Sequence, residues 1–144
     1  MTVLLGLLCV LFSAFSTATQ ALSWINPPLA RRLGFQESSA EAAELYRRLE
    51  WHAAFWDTLV LWTPLVAGML MLMGDPRAVP VALIAGGIYL DTGGREAAKF
   101  TGLRRNGIGV GSAKERTIAY GAYTTISGLG LALIVWALTR LTAA

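Results

Sequence analysis

The chain has 144 residues, 55% of them hydrophobic and 15% charged, with a formal net charge of +3. A mean hydropathy of +0.53 over so short a chain fits one small membrane domain. The basic residues flank apolar segments, so their excess reads as membrane topology and not as affinity for nucleic acid. Cys9 stands alone inside an apolar run, which excludes an intramolecular disulfide and CxxC chemistry. A single histidine, His52, excludes bis-histidine haem within one chain and argues against zinc, so neither a metal nor another cofactor is expected.

Four apolar segments, 3–22, 53–73, 79–98 and 117–138, each approach the ~20 residues that a bilayer crossing requires. The first contains Ser16-Thr17-Ala18, which resembles a signal-peptidase site. No basic residue precedes the apolar run, however, so the segment is read as an uncleaved helix. Asn26-Pro27-Pro28 ends it. Ser38-Ser39-Ala40-Glu41 fits a capping box and predicts that the second helix begins near Ser39, runs along the membrane surface over 41–50 and then enters the bilayer. Met73-Gly74-Asp75-Pro76 is a tight turn, with Asp75 and Pro76 placed as N-cap and first residue of the third helix. A glycine-rich basic loop over 103–112 follows. It lacks P-loop spacing and follows no strand, so it reads as a loop near anionic headgroups. Ser112-Ala113-Lys114-Glu115 is a second capping box, opening the fourth helix.

Orientation follows from the cations. Arg31, Arg32, Arg47 and Arg48 lie between the first two spans; Arg95, Lys99, Arg104, Arg105, Lys114 and Arg116 lie at and after the end of the third. Only Arg77 and Arg140 fall on the other side. Both longer connections are therefore expected in the cytoplasm and both termini in the periplasm of a bacterial inner membrane. The fold class expected is all-α: a four-helix transmembrane bundle, one domain over 1–144, with a cytoplasmic surface extension of the second helix.

Asp57 lies 17 residues before Gly74 and Asp91 17 after it, so in an antiparallel hairpin the two acids share a depth of roughly 25 Å from the turn. Ionisable groups there need a partner or a cavity. Small residues mark the faces expected to pack inward: Gly6, Ser13, Thr17 and Gln20 in the first helix; Glu50, Ala54, Asp57, Leu61, Pro64 and Gly68 in the second; Gly87, Asp91, Gly94 and Ala98 in the third; Gly121, Thr125, Gly128 and Ala132 in the fourth. Arg95 is one turn beyond Asp91 and between the levels of Glu50 and Asp57, and His52 is near the level of Glu96.

The ligand-pocket candidates are thus Gln20, Glu50, His52, Asp57, Asp91, Arg95, Tyr120 and Tyr123. They gather in the cytoplasmic half, while the outer half is almost wholly apolar, which argues against a through-going ion path in a monomer. Three readings stay open. The leading one is a binding or accessory protein that holds a membrane lipid, a small amphipathic ligand or a membrane-protein partner, or that forms a homo-oligomer. Another is a membrane enzyme acting on a lipid, quinone or isoprenoid by carboxyl acid/base chemistry. The third is an ion-coupled transporter. Against all three stands a purely structural network of buried ion pairs.

Pro28-Leu29-Ala30-Arg31-Arg32-Leu33-Gly34, the acid-containing start of the second span, and Gly93-Gly94-Arg95 together resemble the DoxX-like group of small bacterial four-helix membrane proteins. The resemblance covers about residues 1–105 as architecture, through short motifs. It implies a four-helix membrane bundle, often without an assigned activity. Thiol redox chemistry or quinol oxidation is claimed for some relatives; with Cys9 alone a dithiol mechanism does not transfer, and no catalytic residue is carried over.

Overall fold

In the computed structural model, which describes residues 1–36 and 42–142, the apolar segments are helices joined by charged turns. They are α1 (Thr2–Ile25), α2 (Pro27–Arg32), α3 (Glu44–Val60), α4 (Trp62–Leu72), α5 (Ala78–Arg105) and α6 (Ala113–Leu141). Three stretches are long and apolar enough to cross a membrane: α1, α3 together with α4, and α6. α5 spans 28 residues but carries Asp91 and Arg95 at the end of its apolar stretch and is not among them. Among the described residues everything else is turn or loop, apart from one antiparallel bridge between Ala42 and Val110.

Local chemistry accounts for most helix ends. The Asn26 side chain accepts from Leu29 N–H at 3.2 Å and caps α2, with Pro27 as its first residue. Ser112 and Glu115 form the expected capping box: Ser112 N–H donates to Glu115 Oε2 at 2.6 Å, and Glu115 N–H to Ser112 Oγ at 3.3 Å. Asp75 accepts from Arg77 N–H at 2.8 Å, as an N-cap does, although regular helix begins only at Ala78. Outside the membrane-crossing segments, the adjacent Arg77 guanidinium and backbone hold the Asp75 carboxyl down to about 2.

The second span departs from expectation twice. The box at Ser38–Glu41 lies outside the described residues, and α3 begins at Glu44 instead of near Ser39. Ala42 and Ala43 are extended because they pair with the glycine-rich loop: Ala43 N–H donates to Gly109 C=O at 2.9 Å, beside the bridge to Val110. The helix is also broken at Leu61, between α3 and α4. Pro64 has no N–H for the Val60 carbonyl and its ring crowds that carbonyl, which is where the break falls.

Glycine contacts draw the helices together. A Cβ on Gly86 would lie 2.8 Å from the Gly130 carbonyl, and one on Gly130 equally close to that of Gly86, so α5 and α6 meet backbone to backbone. Gly68 of α4 stands likewise against Gly6 of α1, where an added Cβ would be 2.7 Å from the Gly6 carbonyl. Leu5, Cys9, Leu61, Met71, Tyr89 and Leu133 fill the main core, and Tyr46 and Phe100 pack a second cluster beside Ala42 and Val110.

The inward stripes expected for the first and second spans are buried or half-buried, but those for the third and fourth are reversed. Gly87, Asp91, Gly94 and Ala98 are exposed, as are Gly121, Thr125 and Gly128. α5 instead turns Gly86, Tyr89, Gly93, Glu96 and Phe100 inward. The reason is geometric: the glycines that admit α6 must flank Tyr89 and Phe100, whose rings need the interior. Helices α1, α4, α5 and α6 pack in that order, and α1 touches α6 only slightly, leaving a gap along one side.

Candidate functional site

The buried acid of α3 is Asp57, 2% exposed. Its Oδ1 accepts from Arg95 Nη2 of α5 at 3.0 Å. Arg95 lies about a turn past the level of Asp57, and a helical side chain leans toward its own N-terminus, so the guanidinium reaches back to the acid. Glu96, 6% exposed, is next on α5. Its Oε1 is 3.5 Å from Arg95 Nε, and its Oε2 pairs with Lys99. Lys99 in turn lies 2.7 Å from Glu50 of α3. Asp57, Arg95, Glu96, Lys99 and Glu50 thus alternate in sign along the seam between α3 and α5, with three carboxylates to two cations.

A cavity of about 210 Å³ opens beside this seam, in the gap between α1 and α6. Glu50, Asp57, Thr92 and Glu96 form one wall, Ser16 and Gln20 of α1 the second, Glu115 and Tyr123 of α6 the third. Ala53, Leu61, Ala122 and Ile126 supply apolar surface, and Phe35 and Gln36 close the end near the loops. Among the described residues no Lys, Arg or His lines it, because Arg95 and Lys99 contact the carboxylates from behind. Away from this end the interior is apolar. There Ser13 of α1 and Tyr89 of α5 share a buried hydrogen bond of 2.5 Å in the core.

Of the residues singled out from the sequence, Gln20, Glu50, Asp57 and Tyr123 line this cavity, with Arg95 supporting it. Three stand elsewhere. Asp91 does not face Asp57: its side chain is 68% exposed, and Arg95 Nη1 is 3.8 Å away. Tyr120 bonds Thr101 at 2.8 Å and lines a groove on the outer side of α5 and α6. His52 is exposed, edge-on to Trp51, in a surface groove shared with Arg31, Arg47 and Arg48. The site therefore includes Asp57 but not the expected second acid of the pair.

From the sequence Glu96 stands only as the level of His52, and Lys99 only as a topology cation. A signal for both existed. Glu50 lies 24 residues before Gly74 and Lys99 25 after it, so the hairpin register that suggested Asp91 also sets Lys99 opposite Glu50. Glu96 is three residues before Lys99, on the same face. Among the described residues no group of three or more His, Cys, Asp or Glu side chains is placed to hold a metal ion.

No protein-family model, curated protein or solved structure matches the chain. Its chemistry is therefore read from the cavity itself. An excess of carboxylate over cation favours a positive group, and the aliphatic wall beside it favours an apolar one.

Proposed function

We propose that this chain is a small multi-pass inner-membrane binding protein that holds the head of a small amphipathic cation in the Asp57 cavity. The observation that carries the reading is a cavity lined by Glu50, Asp57, Glu96 and Glu115 and by no cationic side chain among the described residues. A basic nitrogen entering the cavity would meet the Asp57 and Glu96 carboxylates on its wall. The volume of about 210 Å³ is below the roughly 300–1,000 Å³ of sites that enclose a whole drug-sized molecule. It suits a headgroup, with the apolar remainder leaving through the gap between α1 and α6 into the bilayer.

Four crossings, cytoplasmic long loops and periplasmic termini belong to the same proposal. The bridge between Ala42 and Val110 supports them. It ties both basic loops to one side, so if α3 and α4 leave that side, α5 returns to it. A four-crossing bundle also agrees with the resemblance to DoxX-like proteins. The burial of Asp57 in a cavity wall supports one alternative, a membrane enzyme using that carboxyl as acid or base on a lipid, quinone or isoprenoid.

The test is thermal unfolding in lipid nanodiscs with a long-chain primary amine or the fatty acid of equal length. The amine should stabilise the fold by about 2.7 kcal/mol at a hundred times its Kd, and so raise the midpoint. The fatty acid should not, and Glu50→Gln should weaken the amine effect. Equal response to both amphiphiles, or to neither, would leave the ion pairs as structural ties between α3 and α5.

A further inference from the structure

Between α2 and the first turns of α3 lies a groove of about 260 Å³, lined by Arg31, Arg47, Arg48, Trp51 and His52. Its two acids are engaged within the chain. Glu44 is shared by Arg47, at 2.5 Å, and Arg48, at 2.9 Å, and Glu50 lies 2.7 Å from Lys99 of α5. Arg31 is half-buried, and its guanidinium makes no ion pair or hydrogen bond among the described residues. It stands two residues from both Leu29 and Leu33, so it projects from the opposite face of α2 to these exposed leucines. α2 thus has the make-up of a short helix lying in the membrane interface, apolar toward the acyl chains and basic toward the headgroups. α3 changes from charged to apolar near His52, which sets Trp51 at the same boundary. The Trp51 indole N–H donates to the Trp24 carbonyl at 3.0 Å and ties the groove wall to α1. Phe55 and Leu59 continue the exposed face of Trp51 at four-residue spacing, a track from the groove toward the hydrocarbon.

We propose that this groove binds the headgroup of an anionic phospholipid, with Arg31 on the phosphate and an acyl chain along Trp51, Phe55 and Leu59. Charge decides for an anion. Among the described residues the groove holds three arginines; two of them share the Glu44 carboxylate, and Lys99 balances Glu50. The planar Arg31 fork matches two phosphate oxygens, and His52, exposed and edge-on to Trp51, offers a further ring nitrogen. The apolar track decides for a lipid over free phosphate, which has nothing to lay along it. The headgroup class follows from the same cations. A choline head would bring its own positive charge against Arg31 and Arg48, whereas a glycerol head leaves the phosphate charge uncompensated for them. The groove shares only Gln36 and Glu50 with the Asp57 cavity, and the proposal does not rest on what fills that cavity.

Native mass spectrometry from nanodiscs of equal parts phosphatidylglycerol and phosphatidylcholine provides the test. The wild type should retain phosphatidylglycerol in preference to phosphatidylcholine. Arg31→Gln should cut that retention about tenfold, as the loss of one charge-assisted hydrogen bond would, and Arg31→Lys by less. Arg105→Gln, the same change of charge at the exposed end of α5, should keep it. Inorganic phosphate, matched in ionic strength to a chloride control, should not displace the lipid. In phosphatidylcholine alone, Arg31→Gln should melt as the wild type does and keep the amine response of the Asp57 cavity. Equal retention of the two lipids by the wild type, displacement by inorganic phosphate, or equal losses in Arg31→Gln and Arg105→Gln would each overturn the proposal; equal losses would leave only a diffuse attraction of the basic side for the membrane. The wild-type lipid preference and the phosphate arm decide even if Arg31→Gln fails to fold.

Discussion

At the scale of single residues, the decisive pair is Asp57 and Arg95. Removing Arg95 leaves a carboxylate that is 2% exposed without its bonded cation. Arg95→Ala should therefore cost about 3 kcal/mol, at the lower end of the range for breaking a buried pair because Arg95 itself is 38% exposed. Adding Asp57→Asn should recover most of the loss. Denaturant unfolding in micelles would check both, and an unchanged midpoint in Arg95→Ala would show that water or headgroups already solvate Asp57. Asp75 offers a pH test away from the bilayer core. Its folded value, about 2, lies below the ordinary one, so its contribution is complete above the ordinary carboxylate range and lost as pH falls through about 2. NMR titration should place the Asp75 midpoint there, and Arg77→Gln should move it back toward 3.9.

At the scale of elements, α5 is the helix whose two faces were hardest to tell apart. Gly93 stands where an added Cβ would lie 2.8 Å from the Tyr123 carbonyl, against backbone that cannot yield cheaply. Gly93→Ala should destabilise by about 1–3 kcal/mol, while Gly87→Ala, which meets nothing, should stay within about 1 kcal/mol of wild type. Thermal melts of the two variants, side by side, would test the assigned faces, and equal effects would contradict them. The inward faces of the first two spans were legible because each carries a single small-residue stripe that also holds the helix's polar groups. α5 carries two stripes nearly half a turn apart, one with Asp91 and one with Glu96. Depth from the turn favoured Asp91, and only the space needed by Tyr89 and Phe100 decides for Glu96. The start of α3 was illegible for a different reason: what stops it is a pairing with Val110, far along the chain, and no local pattern at Ser38 or Ser39 records it.

At the scale of the whole molecule, the arrangement of crossings has its own test. In a Cys9→Ala background, Met73→Cys should react with a membrane-impermeant maleimide from the periplasmic side, and Asn106→Cys only after the inner membrane is breached. Both sites are exposed. Labelling of both from one side would mean that α5 does not cross. The ion pairs between α3 and α5 also bear on how such a chain enters a bilayer at all. The ribosome makes Asp57 and Glu50 before Arg95 and Lys99, and at roughly 5–20 residues per second the cations trail by seconds. During that interval α3 carries Asp57 without Arg95, and one aspartate near a helix centre costs on the order of 2.5–3.5 kcal/mol on insertion scales. The favourable route is for this segment to wait beside the translocon until α5 emerges, so that the two leave as one hairpin with Arg95 already against Asp57.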